Sequence, residues 1–156
     1  MSRKEKNLEI FQPDTIDEQI LQLLTENAKL GNKEIANTIG LSISPTFERI
    51  KRLERHGIIK GYHAEINKKH LGIGLQAFCA VTLKGHNLED ITEFEHRIVH
   101  LEEVVQCYHL AGQFDYSLYI EVKDIDAYQH FLKMKLASIP NISNVHSSFI
   151  LSAIKE

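Results

Sequence analysis

Between Leu41 and Tyr62 the chain reads LSISPTFERIKRLERHGIIKGY. Five cations, Arg49, Lys51, Arg52, Arg55 and Lys60, are interleaved with Glu48 and Glu54, and the segment opens with Ser42, Ser44, Pro45 and Thr46. These residue types suit recognition of a polyanion that also presents hydrogen-bonding edges. Guanidinium and ammonium groups pair with phosphate oxygens, while hydroxyls and the free amides of a helix N-terminus donate to phosphates or base edges. Glu48 has two readings: its carboxylate accepts from a cytosine amine, or it braces Arg52 four residues on, and the bracing role is the one favoured. A merely solvated amphipathic helix would carry the same charges, so the case depends on what surrounds the segment.

Other chemistry-bearing residues group less well. His96 and His100 have the i, i+4 spacing of a helical metal pair, but no third ligand is in evident reach, and no metal is expected. Gly72-Ile73-Gly74 is too short for a dinucleotide loop and follows no strand, so no cofactor is expected. No Ser/His/Asp or Cys/His arrangement supports a nucleophile, no catalytic residue is assigned, and an enzyme is not the expectation.

The 156 residues are 43% hydrophobic and 25% charged, as in an ordered globular chain. No apolar run approaches the roughly 18 to 20 residues that cross a bilayer, and the opening MSRKEKNLEIFQPD lacks the apolar core of a secretory signal. Cys79 and Cys107 form no Cys-x-x-Cys pair, so packed thiols in a reducing cytoplasm are expected. The net charge of -3 is unevenly spread: residues 1–69 carry 12 Lys/Arg against 10 Asp/Glu, and the remainder 6 against 11. That asymmetry predicts two domains with different partners, the first facing an anion.

The segment preceding the basic run supplies its frame. TIDEQILQLLTENAKLG places Ile16, Ile20, Leu23 and Leu24 on a 3.6-residue period, and Thr15 with Glu18 reads as a capping box. NKEIANTIG is a second, short helix with Ile35, Ala36 and Ile39 inward and Gly40 closing it. Ser44 as N-cap and Pro45 at the first helical position start a third helix, predicted to run from Pro45 to His56 and to stop at Gly57. Thr46, Phe47, Ile50 and Leu53 form its inner side. Two short helices joined by a tight turn, the second basic outside, describe a helix-turn-helix, and IIKGYHAEI around Gly61 predicts a small hairpin or wing.

The second half alternates differently. GLQAFCAVTLKG has the period of a strand; NLEDITEFEHRIVHL has helical spacing at Leu88, Ile91, Phe94, Ile98 and Leu101. VVQCYHLA and FDYSLYIEV are strands, DIDAYQHFLKMKLASIP is a helix capped by Asp124, and ISNVHSSFILSAI is the last strand. The order βαββαβ predicts an α+β ferredoxin-like sandwich with helices on one sheet face. Phe78, Tyr119 and Phe149 are assigned to the other, uncovered face, which predicts association, most simply a homodimer. Two reading helices in a dimer would address half-sites about 34 to 36 Å apart, or at multiples of that spacing. The expected organisation is an arm (1–13), a winged helix-turn-helix (14–66), a linker (67–74) and a ferredoxin-like domain (75–156).

IANTIGLSISPTFERIKRLERHGIIKGYHAEIN, the linker KKHLGIGL and the later LAGQFDY together resemble the leucine-responsive regulatory protein/AsnC transcription factors, over about Asp14 to Ala153. The resemblance implies DNA-binding dimers that assemble further, to tetramers or octamers, with a C-terminal domain that senses an amino acid or related metabolite. Carried over by motif, Gly112, Gln113, Phe114 and Asp115 line the effector site, with Tyr108 and Ser148 contributing. Asp115 would receive the ammonium of a zwitterion, and amides freed by Gly112 its carboxylate. A tight hairpin in which the glycine turns and the aspartate caps is the structural alternative. Asn141 stands after Pro140 where many members have glycine; asparagine also tolerates a left-handed turn.

The function expected is a sequence-specific transcriptional regulator of double-stranded DNA, modulated by a small effector. The alternative is a metabolite-binding oligomer whose helical domain makes protein contacts.

Overall fold

The computed structural model describes residues 11–155. The chain divides into two compact units, residues 1–65 and 66–156. In the first, α1 (Thr15–Glu26), α2 (Asn32–Ile39) and α3 (Ile43–Arg55) close around Ile20, Ile35, Ile50 and Leu53. Ile16, Leu23, Leu24 and Ile39 pack on that cluster, as their helical period predicts.

The helix ends differ from the sequence reading in instructive ways. The capping box of α1 uses Asp14 and Asp17, not Thr15 and Glu18: Asp14 Oδ1 accepts from Asp17 N at 2.9 Å and Asp17 Oδ2 from Asp14 N at 3.2 Å. Glu34 Oε2 accepts from Gly31 N at 2.8 Å at the start of α2, and Gly40, at φ 73°, ends it. Helix α3 starts two residues earlier than expected. Ser42 is its N-cap through backbone geometry alone, Ser44 lies inside the first turn, and Pro45 occupies the third position. Its missing amide is still one of those a first turn leaves unpaired, so the proline costs no helical hydrogen bond there.

No strand forms over residues 57–67, where a hairpin was expected. Residues 60–67 are exposed, so two short runs around Gly61 have no apolar face to bury, and a lone hairpin is marginal in water. The segment is tied back instead by Tyr62, whose hydroxyl donates to Glu54 Oε1 at 3.0 Å.

The second unit is a four-stranded antiparallel sheet in the order β2-β3-β1-β4. Its strands are β1 (Leu75–Leu83), β2 (Val104–His109), β3 (Tyr116–Val122) and β4 (Ile142–Phe149). Helix α4 (Leu88–Ile98) follows β1, and α5 (Ile125–His130), capped by Asp124, continues through a π turn (Phe131–Lys135) and a 3-10 turn (Leu136–Ser138). The order βαββαβ and this strand arrangement make the ferredoxin-like sandwich that the sequence predicted. Ala77, Cys79, Val81, Leu118 and Ile120 meet Phe94, Ile98, Tyr128, Phe131 and Leu136 in its core. Leu88, expected inward, is exposed at the first turn of α4.

Residues 67–74, read as a linker, pack with this unit: Lys68–Leu71 forms a 3-10 turn, Lys68 Nζ lies 2.5 Å from Glu121 Oε1, and Gly74 N donates to Lys123 O. Asn141 adopts φ 68°, and its side-chain amide bonds both backbone groups of Gly85 at 3.1 Å, so it fastens the loop after β1 while making the turn.

Register sorts the sheet faces. Phe78 pairs across from Tyr119, their rings 5.4 Å apart, on the face opposite α4 and α5. Phe149 pairs with core residue Ala77 and packs edge-on to Tyr128 of α5 at 5.0 Å. It therefore belongs to the helix side, a correction that follows from period-two alternation. Ser148, one residue earlier, takes the uncovered face beside Phe78.

Candidate nucleic-acid interface and effector loop

The inner row of α3 is Thr46, Ile50 and Leu53, all buried. Thr46, expected among the reading residues, is fully buried and its hydroxyl donates to Ser42 O at 3.0 Å. It seats the helix rather than facing a ligand. On one flank Arg49 and Arg52 turn towards α1. Arg49 Nη1 lies 2.7 Å from Asp14 Oδ2 and 2.8 Å from Asp17 Oδ1, and Arg52 Nη2 lies 2.8 Å from Asp17 Oδ2. The Asp17 side chain is completely buried, and those guanidiniums supply the pairing that a buried carboxylate needs. Hydrogen bonding from Arg49 holds the Asp14 carboxyl below its usual range, and Asp14 and Asp17 in turn raise the Arg49 guanidinium. Arg52 also lies over the Phe11 ring at 4.9 Å, and Phe11 stacks on His56.

Two expectations change. Arg49 and Arg52 are committed to bracing α3 on α1, and the residue that braces Arg52 is Asp17, not Glu48. The sequence signal for this was present in the Asp-x-x-Asp spacing of residues 14 and 17, which serves the cap and the arginines with the same carboxylates.

The outward row is Ser44, Glu48, Lys51 and Arg55, spaced four, three and four, which keeps them on one face. All four are exposed. Lys51 Nζ reaches Glu54 Oε2 at 2.8 Å, and with Tyr62 this lowers the Glu54 carboxyl. Among the described residues the side chains of Ser42, Ser44, Glu48, Arg55 and Lys60 have no hydrogen-bond or ion-pair partner, and Pro45 is exposed beside them. The arrangement is a rigidly backed helix whose outward polar row is unengaged apart from the Lys51–Glu54 pair: a surface available to bond something else.

In the second unit the loop Gly112–Asp115 connects β2 to β3. Leu110 N donates to Asp115 O and Asp115 N to Val81 O. Asp115 Oδ2 accepts from Leu83 N at 2.7 Å and Oδ1 lies 2.9 Å from His86 Nε2. Bonding from the Leu83 amide, then from His86, holds its carboxyl below the usual range. Both oxygens are thus already engaged in fastening the hairpin to the end of β1. Gly112 has open space where a Cβ would stand, so neither crowding nor backbone strain demands glycine there. Gln113 is exposed, and Phe114 packs against His146 of β4 at 5.8 Å. Tyr108, on edge strand β2, donates to Gln106 Oε1; Ser148 is exposed on the opposite edge strand. Both face the uncovered side, with two strands between them. One protomer therefore groups Phe114 with β4 but does not bring Tyr108 and Ser148 together.

A separate open cavity of about 470 Å³ lies between the end of the α5 region and β4, lined by residues including Lys84, Leu136, Ser138, Asn141 and Val145. None of the six residues expected at the effector site lines it. His96 and His100 rings are 5.2 Å apart, and among the described residues no three His, Cys, Asp or Glu side chains are placed to hold a metal. No helix among them is long and apolar enough to cross a membrane.

Comparison with known proteins matches both units. Residues 13–60 fit the family model of a winged helix-turn-helix DNA-binding domain, and residues 76–156 that of the Lrp/AsnC ligand-binding domain. The chain is 36% identical over 141 residues to the Bkd operon transcriptional regulator of Pseudomonas aeruginosa, covering 90% of this chain and 92% of that one. It is 33% identical over 143 residues to the leucine-responsive regulatory protein of Escherichia coli, covering 92% and 87%. A Neisseria meningitidis transcriptional regulator crystallised with L-methionine superposes with a TM-score of 0.89 at 34% identity, over 93% of this chain and 94% of that one. Escherichia coli AsnC superposes at 0.86 with 26% identity, over 94% and 97%. The helix-turn-helix, the ferredoxin-like unit and these matches together make the chain a member of the Lrp/AsnC family of DNA-binding transcriptional regulators.

Proposed function

We propose that this protein binds its operators through the outward row of α3 and that an amino acid modulates the binding. The observation that carries the reading is that row: Ser44, Glu48, Lys51 and Arg55 project from the second helix of the helix-turn-helix, on a backing held by Asp17, Arg49 and Arg52. Ser44 near the helix N-terminus and Glu48 one turn on address base edges, while Lys51, Arg55 and Lys60 pair with phosphates. Ser42 and Pro45 flank the row at the same end. A selected operator titrated by fluorescence anisotropy over a range of salt tests this. Arg55→Ala or Lys60→Ala should weaken binding and flatten its salt dependence by about one counterion each. Glu48→Ala should strengthen non-specific binding more than operator binding. Unchanged affinity and salt slope in all three variants would remove α3 from the interface and favour a helical unit that makes protein contacts instead.

The assembly belongs to the same reading. The Phe78–Tyr119 pair lies on the sheet face opposite α4 and α5, which suits a homodimer, with further association into tetramers or octamers. Phe78→Glu should lower the mass measured by sedimentation; an unchanged mass would exclude that face. The effector reading rests on the L-methionine complex of the Neisseria relative and on the family's ligand-binding domain. The loop Gly112–Asp115, with Phe114 against β4 and Tyr108 and Ser148 on the uncovered face, is the site it favours. There Asp115 serves by fixing the loop, and a ligand ammonium would have to displace His86. Calorimetry with a panel of amino acids on wild type and Asp115→Ala tests the assignment, which fails if a ligand binds both equally.

A further inference from the structure

Two large apolar side chains on α3 are left out of the core. Ile43 and Phe47, the first and fifth residues of the helix and one turn apart, are 51% and 40% exposed. Ile50 and Leu53, which seat the helix, are buried. The sequence grouped Phe47 with those inner residues. It lies instead on the flank between them and the outward row, away from the flank on which Arg49 and Arg52 meet α1. Lys51 Nζ stands 5.7 Å from the centroid of its ring. A cation over one ring face restrains the side chain and puts positive charge beside the apolar surface.

Scattered exposed apolar residues are ordinary on a protein surface. These two are not scattered: they sit in the first turns of a helix whose N-terminal residues, in a helix-turn-helix, meet base edges in the major groove. That groove offers a single apolar feature, the C5-methyl group of thymine, and aromatic or aliphatic side chains are the groups that fit against it. The neighbouring row supplies the polar complement, with Ser44 and Glu48 for hydrogen-bonding edges and Lys51 for the phosphates that border the same groove. We propose that Phe47, with Ile43 beside it, is a specificity-determining residue that reads thymine methyl groups in the operator. The inference rests on α3 being the reading helix and adds what it reads.

Replacing thymine by deoxyuridine removes the methyl group and leaves base pairing intact, so it isolates the contact. With the full-length protein and an operator selected from random duplexes, each thymine is replaced in turn and binding measured by anisotropy. Wild type should lose about fourfold at one or two thymines per half-site, the factor that corresponds to burying one methyl group. Phe47→Ala should bind the thymine and deoxyuridine duplexes alike at those positions, and Phe47→Leu should keep part of the preference. Because each comparison places two DNAs on one protein, any loss of folded fraction in a variant cancels.

Equal binding of both duplexes by wild type at every position would overturn the proposal. So would a Phe47→Ala protein that retains the wild-type preference. Glu48→Ala and Arg55→Ala separate the two levels of failure. If they alter binding while no thymine shows a methyl effect, only the methyl contact is wrong; if they too leave binding unchanged, α3 is not the reading helix.

Discussion

Asp17→Ala is the most informative single change in the helical unit. It removes a fully buried carboxylate that accepts from Arg49 Nη1 at 2.8 Å, Arg52 Nη2 at 2.8 Å and Asp14 N at 3.2 Å. Charge-assisted hydrogen bonds contribute about 1.5–3 kcal/mol each. The two guanidiniums are 26% and 39% exposed, so water re-solvates them when the acceptor goes, which discounts each bond to about 1 kcal/mol, below that range. Losing half of the capping box adds about 0.5–1 kcal/mol. The total is about 3 kcal/mol, less than truncating one partner of a fully buried pair, because here the buried charge itself is deleted. In urea, with a slope near 1.5 kcal/mol/M for so small a unit, the midpoint of the helical transition should fall by about 2 M. Asp17→Asn, which keeps one acceptor oxygen, should recover about half. Operator affinity should fall with the folded fraction while the salt dependence stays at its wild-type slope, since no phosphate contact is lost. A midpoint shift below about 0.3 M at unchanged slope would refute the bracing role.

Further expectations concern the sheet unit and the glycines. The Asp115 carboxyl is held below 3.8, so its contribution is fully present above that pH and is lost as pH falls through the lower folded value. The stability gap between wild type and Asp115→Asn, read from urea midpoints, should narrow as pH falls below 3.8; a gap that widens from there towards pH 3 would be inconsistent. Burial pushes the thiols of Cys79 and Cys107 up to about 11, Cys107 with help from Glu95, so native-state alkylation at pH 8 should be about a hundredfold slower than for an unperturbed thiol and accelerate on unfolding. Gly57→Ala meets no atom but must hold φ 68°, costing about 1–2 kcal/mol in thermal or urea unfolding. Gly74→Ala should cost more, since its Cβ would stand 2.6 Å from Lys123 O and break the bond between those residues.

The architecture was legible because each element carried its own period. Ile20, Ile35, Ile50 and Leu53 sit at helical spacing and close one core, while Ala77, Cys79 and Val81 alternate into the other. What sequence could not resolve were choices between neighbours that only a tertiary partner decides. Thr15 and Asp14 are both good caps, and Asp14 takes the position because Asp17, three residues on, is also wanted by Arg49 and Arg52. The sequence reading assigns Phe149 to the wrong sheet face because a strand's alternation says which residues share a face, while which face turns to the core is set by pairing across the sheet, here with Ala77. Asp115 was legible as important, but its partners, Leu83 N and His86, are about thirty residues away in sequence. The expected wing gave no strand because β-like residues need a face to bury, and its surroundings are solvent.

The cation count of LSISPTFERIKRLERHGIIKGY overstated its hold on DNA. Of five cations, Arg49 and Arg52 are tied to α1 and Lys51 is shared with Glu54, which leaves Arg55 and Lys60 unengaged among the described residues. With Lys51 exchanging Glu54 for a phosphate, three such contacts correspond to a salt slope of only about 3 per protomer. On the proposed interface, so few phosphate contacts from this segment would leave much of the affinity to base edges and to joining two reading helices on one DNA. Both follow from the same physical choice. Spending two arginines on Asp17 gives up electrostatic grip and gains a helix held at a fixed angle, and only a fixed helix can present Ser44, Glu48 and Phe47 to particular bases. On the proposed pairing of two protomers through Phe78 and Tyr119, that face would matter to recognition as much as α3 does, because pairing would restore the affinity that each helix forgoes.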